Sequence, residues 1–151
     1  TSSVQREPEI FRAFAIKGAE IILRTATGGF TPADMQATSM YNGVYTAVCN
    51  NAVSPDNPGF FDDAGNGGSA IYDPRGNALA EARSAFEQAV VARIPIADYR
   101  ARNRQPTLHT ELYKPVIDAY VSPYGPNLFS EYQPTDLKDA KRYLSDKSRW
   151  K

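Results

Sequence analysis

The sequence is poor in cysteine and histidine and has no excess charge of either sign. Of its 151 residues, one is cysteine and one is histidine, which argues against a disulfide framework or a multi-cysteine zinc site. Lys and Arg number 17, as do Asp and Glu, so the formal net charge is zero. A neutral chain is poorly suited to electrostatic capture of nucleic acid or an acidic membrane. We therefore expect no metal, no nucleic-acid partner and no membrane partner.

Long apolar runs are also missing, although apolar residues make up 42% of the chain. This fraction is sufficient for a core, whereas no run approaches the length of a membrane-spanning helix. The opening segment, Thr1-Ser2-Ser3-Val4-Gln5-Arg6, lacks the apolar region of a secretory signal, and we expect a cytoplasmic protein. Because no Met precedes Thr1, we expect either that an upstream segment was removed or that the sequence begins within a longer protein.

Helix and strand signals alternate through the first hundred residues. Proline near a helix start, capping residues, glycine stops and β-branched runs place the boundaries. The first predicted helix runs from Pro8 to Lys17, with Ile10, Phe11, Phe14 and Ala15 on its apolar stripe, and a strand within 19–26, buried on both faces, follows it. The second helix begins after a Thr31 cap, with Asp34 completing a capping box, and ends at Asn42. The remaining predicted elements are strands over 44–50 and 68–72, a turn over 73–77, strands over 78–82 and 88–96, and a helix over 97–104. This order predicts an α/β fold with helices on one face of a sheet, so the other face needs a second layer.

The character of the sequence changes after residue 104. Five of the eleven prolines and several tyrosines fall within 105–134, which favours an extended arm lying on a partner surface over a long internal loop. A terminal amphipathic helix over 135–150 follows, docked through Leu137, Tyr143 and Leu144. We therefore divide the chain into a domain over 1–104 and an arm with a terminal helix over 105–151, and we expect the arm to support a homo-oligomer.

Several segments, taken in chain order, resemble the nitrilase, or carbon–nitrogen hydrolase, superfamily. They are Pro8-Glu9-Ile10-Phe11-Arg12, Ala15-Ile16-Lys17-Gly18-Ala19-Glu20-Ile21-Ile22, Tyr41-Asn42-Gly43-Val44-Tyr45, Gly67-Gly68-Ser69-Ala70-Ile71-Tyr72-Asp73-Pro74-Arg75-Gly76, Leu79-Ala80-Glu81-Ala82 and residues 88–104. Each segment is weak alone, but the ordered set over residues 2–104 is specific. The start of the first helix is most similar to aliphatic amidases and formamidases.

The resemblance implies an αββα sandwich of which this chain forms the C-terminal half, with the extended arm added. It also implies hydrolysis of a non-peptide C–N bond in a small amide or nitrile, without a cofactor. The family's glutamate base, its lysine and its second glutamate lie in the N-terminal half, so we expect a second chain or a missing segment to supply them. An alternative is an inactive nitrilase-like scaffold or assembly subunit.

The resemblance places Ser2 where the family has its cysteine nucleophile, seven residues before Glu9. Ser2 is interpreted as an engineered replacement of cysteine, as a natural serine nucleophile or as a sign that the chemistry is lost. Thr1 offers another mechanism, because the α-amine of an N-terminal threonine can act as the base for its own hydroxyl. The alternative is that Thr1 is merely the first residue of the sequence and has no catalytic role.

Arg24, Thr25 and Thr27 follow the predicted strand after the first helix, and we expect them to bind substrate. The carboxyl ends of strands line the pockets of open α/β sheets, and the guanidinium fork of Arg24 suits a carboxylate or polar group. A surface salt bridge is the alternative for Arg24. Three other features carry no predicted chemistry: Cys49 as a small buried hydrophobe, His109 as an arm contact, and the acidic loop containing Asp62 and Asp63 as a solvated loop.

Overall fold

The computed structural model describes residues 7–26, 31–52, 67–83, 87–102 and 105–150. The elements of this part are α1 (Pro8–Ile16), β1 (Ile21–Ala26), α2 (Pro32–Asn42), β2 (Tyr45–Asn50), β3 (Ala70–Tyr72), β4 (Ala78–Glu81), α3 (Ile96–Arg102), α4 (Thr110–Ala119) and α5 (Leu137–Lys147). The chain forms two compact units, one over residues 1–107 and one over 108–151. No described helix has the length and apolar character needed to cross a membrane.

The first unit is built on a four-stranded sheet with the order β1-β2-β3-β4. Strands β1 and β2 are parallel and are connected through α2, whereas β2, β3 and β4 are joined in antiparallel fashion. In the parallel pair, Thr25 lies opposite Cys49 and Ala26 lies opposite Asn50. The carboxyl ends of β1 and β2 therefore meet at one edge of the sheet, and the predicted α/β class is confirmed.

Helix α1 begins at Pro8, as predicted, and ends at a Lys17–Gly18 turn in which Gly18 has a φ of 93°. Phe11 and Ala15 are buried and pack against Ile22 and Val44. The prediction that Phe14 is also buried is wrong, because its side chain is 49% exposed. Successive helical residues are rotated by about 100°, which carries Phe14 off the face that Phe11 and Ala15 share.

Strand β1 is buried on one face, so the prediction of burial on both faces is wrong. Ile22 and Arg24 are buried, whereas Leu23 is 80% exposed. The cores formed with α1 and α2 use the same face, which holds Ile22 in one cluster and Val48 in the other. Side chains alternate across a strand, so a continuous apolar run does not by itself decide how many faces are covered.

The β3–β4 connection is the turn predicted over 73–77. Asp73 accepts hydrogen bonds from the backbone N–H groups of Arg75 and Asn77, at 2.8 and 2.9 Å, and from Asn77 Nδ2 at 3.1 Å. Partial burial acts to raise the pKa of Asp73, but these hydrogen bonds and the Arg75 charge lower the pKa overall. The turn is thus held by one side chain, as is typical of aspartate at such positions.

Residues 88–96 contain no strand in the described part of the chain, and the strand prediction there is wrong. The segment is irregular until α3, where Tyr99 is buried. The Tyr99 hydroxyl donates to the Gly43 carbonyl at 2.7 Å, and its ring meets the Tyr45 ring edge-on with centroids 5.2 Å apart. Residues 88–95 therefore lead into α3 and take no position in the described sheet.

The second unit contains a helix where an extended segment was predicted. Helix α4 holds Pro115 within its ten residues, and Leu112 and Val116, one turn apart, are both exposed. Proline argued against a helix here, yet the i, i+4 apolar spacing was present in the sequence. Helix α5 begins with the Asp136 side chain accepting from the Asp139 N–H, and the expected docking of Leu137 is wrong because Leu137 is 84% exposed.

Candidate functional site

The site expected from the sequence lies where β1 and β2 end side by side. Three residues of this edge have informative side chains: Arg24 and Thr25 near the end of β1, and Asn50 at the end of β2. Their positions follow from the parallel register, which brings the two strand ends level. This edge is where open α/β sheets place their ligands.

Arg24 is buried on the face of β1 that α2 covers. Its Nη1 donates to Asp34 Oδ2 at 2.7 Å and to the Met35 sulfur at 3.0 Å. The Arg24 side chain is 5% exposed and that of Asp34 36%, so the ion pair runs from the interior to the surface. The salt bridge considered for Arg24 is therefore present, but with the arginine inside the fold.

The same ion pair explains why the predicted capping box of α2 is wrong. Thr31 is the N-cap residue and Pro32 follows it, but the Thr31 side chain makes no capping hydrogen bond. The Asp34 carboxylate lies against Arg24, and the Asp34 N–H bonds to the Thr31 carbonyl at 2.9 Å. A charge-assisted bond to a buried guanidinium is stronger than a neutral capping bond, which explains why the Asp34 carboxylate binds Arg24 and does not complete the capping box.

Polar side chains continue along the interface between α2 and the sheet. The hydroxyls of Ser39 and Thr46 lie 2.6 Å apart, and both residues are fully buried. Along the helix, the Thr38 hydroxyl donates to the Asp34 carbonyl and Asn42 Nδ2 donates to the Thr38 carbonyl, at 2.8 and 2.9 Å. The Ser39–Thr46 pair therefore joins α2 to β2, whereas the other two bonds lie within the helix.

Thr25 and Cys49 lie opposite each other on the face of the sheet that α1 and α2 do not cover. Both are exposed, so the prediction of a buried Cys49 is wrong. The error has a simple cause: Val48 and Asn50 point to the covered face, and alternation turns Cys49 to the other. The apolar content of the strand indicated burial without indicating on which face.

Asn50, at the same edge of the sheet, is a residue that sequence reasoning missed. Its N–H donates to Ser69 Oγ at 2.9 Å, and its Nδ2 donates to the Gly67 carbonyl at 2.8 Å. These bonds tie the end of β2 to the segment that enters β3. The sequence shows polar residues at the strand end, Asn50-Asn51, and a Gly67-Gly68-Ser69 segment further on. Asn50 and its partners are 17 or more residues apart, so the sequence alone does not pair them.

Other predicted site residues are not brought together in the part of the chain that the structure describes. Thr1, Ser2, Thr27 and the acidic pair Asp62 and Asp63 lie outside the described residues. His109 is exposed and precedes α4 in the second unit. Within the described ranges, no three His, Cys, Asp or Glu side chains gather in a way that could hold a metal.

A cleft of about 150 Å³ lies at the opposite end of the strands. Its walls come from the ends of α1 and α2, the segment before β1, and α3, and they include Ala15, Glu20, Asn42 and Tyr99. At the cleft, Arg100 forms a two-bond ion pair with Glu20, at 2.7 and 2.8 Å. The hydrogen bond from Arg100 lowers the pKa of Glu20, and that from Glu20 raises the pKa of Arg100. This ion pair links α3 to the residue that precedes β1.

Comparison with known proteins adds a family and a set of similar folds. The family model described as carbon-nitrogen hydrolase matches residues 5–104. No curated protein matches the chain.

Solved amidase structures resemble the chain over part of their length. The NitN amidase from Nesterenkonia sp. AN1 is 25% identical, with a TM-score of 0.52, over 72% of this chain and 40% of the amidase. A variant of that amidase, with the acetamide moiety of fluoroacetamide added to its active-site cysteine, is 26% identical, also with a TM-score of 0.52, over 72% of this chain and 39% of its own. Nit3 from Saccharomyces cerevisiae, a nitrilase-superfamily member, is 24% identical over 64% of this chain and 37% of Nit3, with a TM-score of 0.50. The chain thus spans about 40% of the length of the amidase structures.

Proposed function

The chain belongs to the carbon–nitrogen hydrolase family, and on that premise we propose that it takes part in hydrolysing the C–N bond of a small amide. The match of the family model to residues 5–104 carries this proposal. The choice of an amide is supported by the similarity to an amidase whose active-site cysteine accepts an acetamide group. A nitrile is the second substrate class within the same reaction type.

We propose that the remaining catalytic groups come from a segment N-terminal to Thr1 or from a second chain. That half would supply the glutamate base, the lysine and the second glutamate, and it would cover the exposed face of the sheet. The support is the exposed apolar surface on that face, where Leu23 is 80% and Ile21 is 40% exposed. Large exposed apolar surfaces mark interfaces more often than solvent-facing walls.

In the proposed reaction, Ser2 Oγ forms a bond to the amide carbonyl carbon as its proton passes to the glutamate. The tetrahedral oxyanion is stabilised by the lysine and by a backbone N–H beside Ser2. The glutamate passes the proton it took to the nitrogen, the C–N bond breaks, and ammonia leaves. Water, giving a proton to the same glutamate, then attacks the acyl ester, and the carboxylic acid is released as that proton returns to Ser2 Oγ. The positive end of α1, which begins at Pro8, would favour the developing oxyanion.

Thr1 is the alternative nucleophile, with its own α-amine as the base. Thr25 and Thr27 are proposed to face the substrate, since β1 ends at Ala26 on the edge described above.

The second unit is proposed to support a homo-oligomer through the exposed apolar residues of α4, which include Leu112 and Val116.

Ammonia release from formamide and propionamide tests the reaction on the complete natural gene product. Ser2→Cys should raise activity because a thiolate is the better nucleophile, and Ser2→Ala should abolish it. If Thr1 is the nucleophile, blocking its α-amine stops turnover and Ser2→Ala matters less. Intact mass measurement then shows whether a second polypeptide is present.

Failure of all these proteins to release ammonia would leave the inactive scaffold as the function. The observation that favours a scaffold is the serine at the position of the family's cysteine. A matched control is Ser3→Ala, which changes a neighbouring hydroxyl that has no proposed role.

A further inference from the structure

Arg24 occupies a position on β1 where an apolar side chain would be expected. Its inward-facing neighbour along the strand, Ile22, is buried in an apolar cluster. Taking a guanidinium out of water costs several kcal/mol, and a buried ion pair is often no more stabilising than apolar residues of the same volume. Burial of Arg24 is therefore poorly explained by stability alone.

The contacts of Arg24 join one strand to one helix turn. Nη1 lies 2.7 Å from Asp34 Oδ2 and 3.0 Å from the Met35 sulfur, and both partners belong to the first turns of α2. Met35 is fully buried and packs with Val48 and Tyr72. The guanidinium thus connects the carboxyl end of β1 to the helix that follows it and to the core beneath.

Directional bonds set the position of α2 along the sheet. Beside the Arg24–Asp34 pair, the Thr46 hydroxyl of β2 also links α2 to the strands: it lies 2.6 Å from the Ser39 hydroxyl and donates to the Met35 carbonyl at 3.4 Å. Apolar contacts tolerate small displacements, whereas hydrogen bonds and ion pairs need a defined distance and angle. The two links lie at different distances from the strand ends, and the ion pair is the one nearer the carboxyl end of β1, where the substrate is proposed to bind.

We infer that Arg24 and Asp34 form a positioning pair that sets the end of β1 against α2 and so determines which acyl group the pocket accepts. The inference rests on the proposed function. A substrate that contacted the Arg24 fork at Nη1 would have to compete with Asp34, which already lies at 2.7 Å. Arg24 therefore acts through the placement of the strand end, and Thr25, next to it, is the residue that faces outward.

The test compares two substrates in the complete natural gene product. For each variant, kcat/KM is measured for propionamide and for formamide, and the ratio of the two values is the readout. Arg24→Met should change this ratio by roughly tenfold or more, because displacement of a positioning group by about 1 Å can reduce rates a hundredfold. Arg24→Lys, which keeps the charge, should restore part of the original ratio.

Two controls separate positioning from loss of stability. Ser39→Ala removes the hydroxyl pair with Thr46, and it should lower the melting temperature without changing the ratio. Arg24→Met combined with Asp34→Leu removes both charges, and it should recover stability while the ratio stays altered. A merely structural role would change both substrates equally.

Each remaining outcome is decisive. If the wild type hydrolyses both amides and Arg24→Met leaves the ratio of their kcat/KM values unchanged, the positioning role is overturned. The proposed function then still stands. No turnover of either amide by the wild type overturns the proposed function and, with it, this inference.

Discussion

Phe11 and Phe14 lie three residues apart on α1 and have different surroundings. Phe11 is 8% exposed and belongs to the cluster with Ile22 and Val44, whereas Phe14 is 49% exposed. Both residues are aromatic, and the apolar spacing of the sequence predicts burial for both. The contribution of a residue to stability is therefore decided by the side chains that surround it, and not by its type alone.

Phe11→Ala should lower the free energy of unfolding by about 3–5 kcal/mol, since it leaves a cavity in the core. Phe14→Ala, the matched control, should cost well under half of that because its side chain is already half in solvent. Urea unfolding followed by circular dichroism gives both values. Equal losses in the two variants would show that the cluster around Phe11 is not the core of this unit.

At the scale of elements, the loop before α5 is fastened to the helix by one carboxylate. Asp139 accepts from the Tyr132 hydroxyl at 2.6 Å, from Arg142 at 2.5 Å and from the Thr135 N–H at 3.1 Å. The Tyr132 hydrogen bond, followed by those of Arg142 and Thr135, lowers the pKa of Asp139 to about 2 from its ordinary 3.8. The Tyr132 and Tyr143 rings stack above this group, with centroids 4.4 Å apart.

Acid should weaken this fastening within a defined pH range. Because the pKa of Asp139 is lower in the folded chain than in the unfolded chain, its stabilisation is complete above pH 4 and is lost as the pH falls towards 2. Asp139→Asn should reduce the melting temperature at pH 7 and flatten its decline between pH 4 and 2. Asp146→Asn, an exposed position on the same helix, is the control and should keep the wild-type profile.

At the scale of the whole molecule, exposed apolar surface is found in both units, each taken by itself. In the first unit it lies on the uncovered sheet face around Leu23, and in the second on α4 around Val116. Apolar surface of this kind favours association over solution as single chains. The sheet face is the surface proposed for the N-terminal half, and α4 the surface proposed for the homo-oligomer.

Leu23→Glu should lower the average mass of the isolated chain in light scattering, because a charge replaces an 80% exposed leucine. Val116→Glu should lower the mass of the complete gene product if α4 supports its oligomer. Gln88→Glu adds the same charge at an exposed polar position and should change neither mass. A wild-type chain that is already monomeric and melts cooperatively would contradict the interpretation of the sheet face.

The sequence by itself determined the order of the elements up to the β3–β4 hairpin and the family. Pro8, Gly18 and Gly43 mark helix ends that follow from backbone conformation alone, and Gly43 has the left-handed φ of 64° that ends α2. These signals are local, so they can be recognised without knowing what each element packs against. The ordered segments over residues 2–104 indicated the family for the same reason, and the match to residues 5–104 confirms it.

Only the tertiary structure decided which face each residue takes and which distant groups meet. Period-two alternation fixes that Leu23 and Arg24 point to opposite faces, but the position of α2 decides that Arg24 is the buried one. The Arg24–Asp34 pair, the Asn50–Gly67 bond and the exposure of Cys49 all depend on strand pairing and helix placement between residues far apart in sequence. Burial and long-range hydrogen bonds are properties of the assembled layers, which is why the single sequence left them undetermined.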